Sequence, residues 1–289
     1  MSEKTDAVSL RQLKLEFLNH CQGEGKSQNS IRGYAGDLEN FCVWLEKEKL
    51  SGENSFVIRR YFNELQRGGR KPATINRAIS ATKAFYDHLQ SRGVVADNIA
   101  RKIKAIRIER KKAPPALGYE QVATLLRQPN LGGTFGLRDL AILMLFSATG
   151  VKSGELVGLN RTDVKFKSNE AGEMTIRKGS QQRTLQLNAE MCRVLLLYLA
   201  SRIDQCEALF ISSRMKRISD RNIRFLVNKY LQRAGLPVRG PQILRDTYAM
   251  QFMERTNNLK ELQHQLGHKN IFLTERYMPI NVDSSDVSH

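Results

Sequence analysis

Long apolar runs are missing from this chain of 289 residues. The longest candidate, Leu140 to Ala148, falls well short of the roughly 18–20 residues that cross a bilayer, so no membrane partner is expected. The opening MSEKTDAVSL has neither an apolar stretch nor a small-residue cleavage site. A secretory signal is therefore not expected, and a cytoplasmic location is. Cysteine is scarce: Cys21, Cys42, Cys192 and Cys206 stand apart without CxxC spacing, which argues against a zinc ribbon or a disulfide framework and leaves them as small core residues. The chain has one tryptophan, Trp44, placed by periodicity on an apolar helix face. No internal repeat, low-complexity tract or paired-carboxylate metal site is found.

Acidic residues are the deficit that points somewhere. Lys and Arg number 46 against 29 Asp and Glu, a formal charge of +17. Such an excess suits a polyanion, because each phosphate neutralised releases condensed counterions. Up to Ala116 there are 22 basic and 13 acidic residues, and beyond it 24 and 16, so both parts of the chain are basic. That pattern fits two bodies gripping one nucleic acid better than one body with a charged arm. The plainer alternative is a solubility charge spread over every face.

Periodicity predicts helices through the first part. One follows Ser9 as N-cap, with Leu10, Leu13, Phe17 and Leu18 on one face. Others run over Ser30–Lys47, over Ser55–Arg67, and from Pro72 with Ile75, Ala78, Ile79, Thr82, Phe85 and Leu89 inward. The joints GEGKS, LSGENS and RGGRK separate them. Lys26, Arg70, Lys71 and Arg77 lie on joints and helix starts, where they are candidates to meet phosphates. Residues 1–108 are read as this helical domain and 109–117 as a linker, since Pro114–Pro115 cannot continue a helix. The linker's Arg110, Lys111 and Lys112 are candidates to cross a DNA backbone.

Residues 118–289 read as a second, mixed domain. Helices are predicted over Tyr119–Leu126, Leu137–Ala148, Ala189–Arg202, Ser219–Ala234, Leu244–Glu254 and Leu259–Leu266. A short hairpin is expected between, with Met174 and Ile176, a turn at Lys178–Gln182, and Thr184–Leu187. The fold class is thus mostly α with a small β-sheet.

Cutting a DNA strand without a metal needs a nucleophile for phosphorus, cations for the equatorial oxygens and an acid for the leaving oxygen. The second domain offers such groups in order: Lys152 and Glu155 in ATGVKSGELVGL, Lys178 in TIRKGSQQRTLQL, Arg245 in PQILRDTYAMQF, and His268 in HQLGHKNIFLTERYM. Tyr277 follows His268 by nine residues. These motifs resemble those of the tyrosine site-specific recombinases, the Xer, Cre and phage-integrase family, and the resemblance extends over the whole chain.

The resemblance implies an N-terminal helical core-binding bundle and a mixed α/β catalytic domain that together clamp duplex DNA. It implies strand exchange through a 3′-phosphotyrosine, for integration, excision, transposition or resolution, without a cofactor or metal. Tyr277 would attack the phosphate, Arg245 would hold two of its oxygens, and Lys178 would protonate the leaving oxygen. His268 would hydrogen-bond the phosphate or assist proton transfer, and Glu155 would act structurally or orient the basic groups. The expected assembly on paired sites is a homo-tetramer, or a hetero-tetramer with a second recombinase. Because the chain begins with the core-binding helices, a separate arm-binding domain is not expected.

Three positions depart from the family pattern. Lys152 stands where it has an arginine, Gln242 where it has a histidine, and Asp246 where a histidine is usual. Lysine lacks the planar fork, and glutamine cannot exchange protons near neutral pH. Two other readings stay open on that account: a DNA-binding protein with a recombinase fold and little or no catalysis, and a type IB topoisomerase-like nicking and resealing enzyme. His264 and His268 stand four apart as helical zinc ligands do, but Gly267 interrupts the helix between them.

Overall fold

Helix starts in the N-terminal part follow the local chemistry of their first residues. A computed structural model describes residues 7–52, 54–108, 114–168, 170–178 and 181–278. Its helix α1 covers Ala7–Gly23, so Ser9, expected as a cap, lies inside the helix instead. Helix α2, Gln28–Glu48, starts at Ser27, whose hydroxyl accepts the Ser30 N–H. Helix α3, Ser55–Arg67, starts at Asn54, which accepts the Phe56 N–H at 2.8 Å. Helix α4, Pro72–Ser91, opens on proline, whose fixed φ and missing N–H suit that position.

Leu10, Phe17, Leu38, Phe41, Leu45, Ile58, Tyr61, Ile75, Phe85 and Leu89 from these helices form one buried core. Trp44 sits half-buried at its margin rather than inside it, donating from Nε1 to Glu64 at 2.7 Å. The chain divides into two units, Met1–Glu109 and Arg110–His289. Arg110, Lys111 and Lys112 lie outside the described residues.

The second unit is built round a helix with almost no polar face. Helix α5 is Tyr119–Leu126 and helix α6 is Gly136–Thr149, in which Ala141, Ile142, Leu143, Leu145 and Phe146 are fully buried. A short α7, Ser153–Gly158, precedes a three-stranded antiparallel sheet of β1 (Val164–Phe166), β2 (Gly172–Lys178) and β3 (Gln181–Leu187), in that order. Then come α8 (Ala189–Ala200), α9 (Asp220–Arg233), α10 (Gln242–Thr256) and α11 (Leu259–Leu266). Two 3₁₀ turns, Ile271–Leu273 and Glu275–Tyr277, follow. Among the described residues no helix is long and apolar enough to cross a membrane.

The sheet differs from the expected hairpin in two ways. Strands β2 and β3 run into the predicted turn, Lys178 pairing with Gln181, so only residues 179–180 lie between them. Strand β1, at three residues, is too short to show a period and went unpredicted. Helix α8 stops at Ala200, two residues early. Arg202 instead holds the following loop, donating to Asp204 and to the Cys206, Ala208 and Leu209 carbonyls. Helix α10 starts at Gln242, two residues early, which puts Gln242, Arg245 and Asp246 in its first turns.

Candidate active site

Four elements of the second unit converge on the guanidinium of Arg245. It is 3 % exposed on α10. Its Nη1 donates to the carbonyl of Gly150, and its Nη2 donates to that of Leu266 at 2.8 Å and faces His268 Nε2 at 3.0 Å. Three of its five N–H donors are thus committed, which fixes the plane of the fork. Gly150 ends α6 with φ 60°, where a Cβ would clash with the Tyr248 ring, so glycine is required on both counts.

His268 is held from both sides. Arginine only donates, so Nε2 is the bare nitrogen, and Nδ1 carries the proton toward Thr274 Oγ1 at 3.0 Å. Burial, then the charges of Arg245 and Lys152, push its pKa from 6.5 down to about 4. The folded chain therefore refuses a proton that the unfolded chain accepts, and this contribution to stability is lost as pH falls from 6.5 to about 4. The urea midpoint should drop between about pH 7 and about pH 4.5, and drop less in His268→Gln. Equal drops in the two proteins would refute this account of the ring.

Glu155 anchors a second layer. Its carboxylate accepts the Lys152 N–H at 2.9 Å, starting α7, and receives both Nη atoms of Arg183 at 3.1 and 2.7 Å. Burial opposes the charge, but the Arg183 fork and the Lys152 amide outweigh it and hold the carboxyl below its usual range. Arg183 Nε donates to the Gln265 carbonyl at 3.0 Å. Gly267, at φ 60°, packs so close that a Cβ would meet Arg183 Nη1 at 2.6 Å. One arginine on β3 therefore ties α7 to the turn that carries His268.

Arg183 was missed in the sequence, although it left a signal. Arg183, Leu185 and Leu187 alternate along β3, and both leucines are buried, so the arginine stands on the core face of its strand. A charge on that face needs a buried partner.

Lys152 Nζ lies 3.4 Å from the Gly267 carbonyl and 4.0 Å from Glu155 Oε1. With Gln242 and Arg245 it lines a cleft of about 350 Å³, whose wall also carries Arg224 and Arg239. Neither of those two arginines was singled out from sequence. The lining has four cations and no carboxylate, which favours an anion there.

Tyr277 ends the second 3₁₀ turn and is 2 % exposed, its ring packed with Tyr248, Phe252, Leu262 and Leu266. The hydroxyl donates to Asp246 Oδ1 at 2.7 Å, and Gln242 Nε2 donates to the same oxygen at 2.9 Å. Burial and the adjoining carboxylate both raise the phenol pKa. The structure thus holds these side chains in three hydrogen-bonded groups: Tyr277, Asp246 and Gln242; Arg245 and His268; and Lys152, Glu155 and Arg183. The first two meet at the adjacent residues Arg245 and Asp246 of α10. Lys178 ends β2 on the hairpin that also carries Arg183.

The N-terminal candidates are in the other unit. Arg70 and Lys71 are exposed between α3 and α4. Lys26 pairs with Glu24 at 3.1 Å, and Arg77 gives two bonds of 2.8 Å to Asp37. A phosphate at Arg77 would compete with that carboxylate. Among the described residues no three His, Cys, Asp or Glu side chains gather as metal ligands would.

Comparison with known proteins shows the family and the fold. The model of the phage integrase family matches residues 116–283, and that of the phage integrase N-terminal SAM-like domain matches residues 15–93. The tyrosine recombinase XerC of Thermodesulfovibrio yellowstonii is 31 % identical over 290 residues, covering 94 % of each chain. That of Roseiflexus castenholzii is 31 % identical over 286 residues, covering 94 % of this chain and 90 % of the relative. Among solved structures, the XerH site-specific recombinase bound to its difH substrate before cleavage superposes with a TM-score of 0.72 at 18 % identity. That match covers 91 % of this chain and 81 % of the other. A lambda integrase dimer bound to a COC′ core site gives 0.67 at 16 %, covering 97 % and 80 %. With residues 116 to 283 matched by the family model and near-full-length relatives at 31 % identity, this chain belongs to the phage integrase family, the tyrosine recombinases, enzymes that cut and rejoin DNA strands.

Proposed function

We propose that this chain exchanges strands between two specific duplex DNA sites through a 3′-phosphotyrosine on Tyr277. The observation that carries the reading is the adjacent pair Arg245 and Asp246 on α10, the first bonded to His268 and the second accepting the Tyr277 hydroxyl, beside a cleft lined only by cations and neutral groups. Arg245 uses its uncommitted N–H groups for the non-bridging oxygens, and Lys152, lining the same cleft, neutralises the phosphate. Lys178, on the hairpin, protonates the leaving 5′ oxygen. His268, neutral and pinned, donates no proton of its own and keeps Arg245 in plane. Glu155, through Arg183, holds the His268 turn against α7.

In this reading residues 1–108 are the core-binding domain, 109–117 the linker and 118–289 the catalytic domain. Arg70, Lys71 and the linker residues Arg110, Lys111 and Lys112 grip phosphates. The working form on paired sites is a tetramer of this chain, or one shared with a second recombinase, acting in the cytoplasm without a cofactor.

Nicked suicide duplexes incubated without metal test the reading, with covalent adducts resolved on denaturing gels. Lys152→Arg should raise the adduct rate roughly 10- to 100-fold, since it restores a bidentate fork at the phosphate. An unchanged or lower rate would mean that Lys152 does not meet the phosphate. DNA binding without any adduct, even in Lys152→Arg with Gln242→His, would favour a silent DNA-binding protein. Relaxation of any supercoiled plasmid, whatever its sequence, would favour the topoisomerase-like enzyme.

A further inference from the structure

A phenol must lose its proton to attack phosphorus, so some group in contact with Tyr277 has to receive it. The hydroxyl is buried, which keeps bulk water from that task. Around it, Arg245 and Arg276 carry only donors, the latter with its guanidinium 5.4 Å from the ring centroid. Gln242 does not exchange protons. His268 has one bare nitrogen, and Arg245 occupies it. Asp246 remains, itself 6 % exposed, with its Oδ1 already accepting the phenolic hydrogen at 2.7 Å.

We propose that Asp246 is the general base of strand cleavage and that Gln242 is its positioning residue. The proposal rests on reading Tyr277 as the nucleophile. The Tyr277 oxygen forms its bond to phosphorus while the bond from phosphorus to the 5′ oxygen breaks. The phenolic proton passes to Asp246 Oδ1, and the leaving oxygen takes a proton from Lys178. Resealing runs both transfers backward, with Asp246 returning the proton to the phenol. The Gln242 amide, donating to the same carboxylate oxygen, holds it toward Tyr277 without offering an exchangeable proton of its own. A glutamine and an aspartate in place of two histidines then form one working pair rather than two separate losses.

The probe is a nicked suicide duplex selected from a randomised library by covalent capture with the wild-type protein. A second version carries sulfur in place of the scissile 5′ oxygen, a leaving group that needs no acid. Asp246→Asn keeps the shape and an accepting oxygen but cannot hold the proton. Its cleavage rate should fall about 100-fold at pH 7 on both duplexes and climb toward wild type as alkali ionises the phenol directly. Lys178→Ala, by contrast, should recover on the sulfur duplex. Cleavage by Asp246→Asn at the wild-type rate or faster overturns the proposal, as does its rescue by sulfur. A gel shift without cleavage checks that the variant still folds and binds. Failure of the underlying reading looks different, since wild type would then capture no duplex or Tyr277→Phe would capture as well.

Discussion

Tyr277→Phe is expected to abolish the covalent DNA adduct, a loss of at least about 10⁴-fold, while the protein still binds DNA. The side chain makes two separable contributions. Its ring fills a buried cluster with Tyr248, Phe252, Leu262 and Leu266, and phenylalanine keeps that packing. Its hydroxyl is the proposed nucleophile and donates one hydrogen bond to Asp246, and phenylalanine removes both. Asp246 retains the Gln242 amide, so the stability cost should stay at about 1–2 kcal/mol. Single-turnover cleavage on suicide duplexes and urea unfolding read the two contributions independently. An adduct that survives the substitution would place the nucleophile elsewhere in the chain.

Arg245→Met is expected to combine a rate loss of about 100- to 1000-fold with a loss of about 2–5 kcal/mol in stability. The rate loss comes from the missing donors to the phosphate. The stability loss comes from the Gly150 and Leu266 carbonyls and His268 Nε2, all of which bond to this one side chain and would be left without it. Arg245→Lys should fall between, because an ammonium cannot reach these acceptors with the geometry of a planar fork. The His268 pKa should also rise in Arg245→Met, since the guanidinium charge is one of the forces holding it down. Titrating the ring by NMR in both proteins checks the last point. A slow variant of unchanged stability would show that the carbonyl bonds contribute nothing to folding.

Local chemistry made the helices readable. The α3, α5 and α11 ranges agree with those expected from periodicity and end signals, because Asn54 caps the first and Gly267 terminates the last within a residue of the apolar pattern. The family motifs were readable for the same reason: each is a short run whose order needs no knowledge of the fold. What stayed hidden is contact between distant segments. Asp246 was visible as a departure, but its bond to Tyr277 joins residues 31 apart. Arg183 reaches Glu155 28 residues before it and Gln265 82 residues after it. Strand β1 exists only through its pairing with β2, which no window of three residues can announce.

The stretch between His268 and Tyr277 is two successive 3₁₀ turns, the first started by Asn270 accepting the Phe272 N–H. Within it Phe272 and Leu273 are 64 % and 55 % exposed, whereas Thr274 is fully buried against His268. In a 3₁₀ helix each residue turns the chain by about 120°. One inserted or deleted residue would therefore swing the phenol a third of a revolution from Asp246, whereas replacing an exposed side chain would not move it. Tolerance here is a matter of counting rather than of chemistry: the segment works as a spacer of fixed length, open to recoding at its surface and closed to any change in residue number.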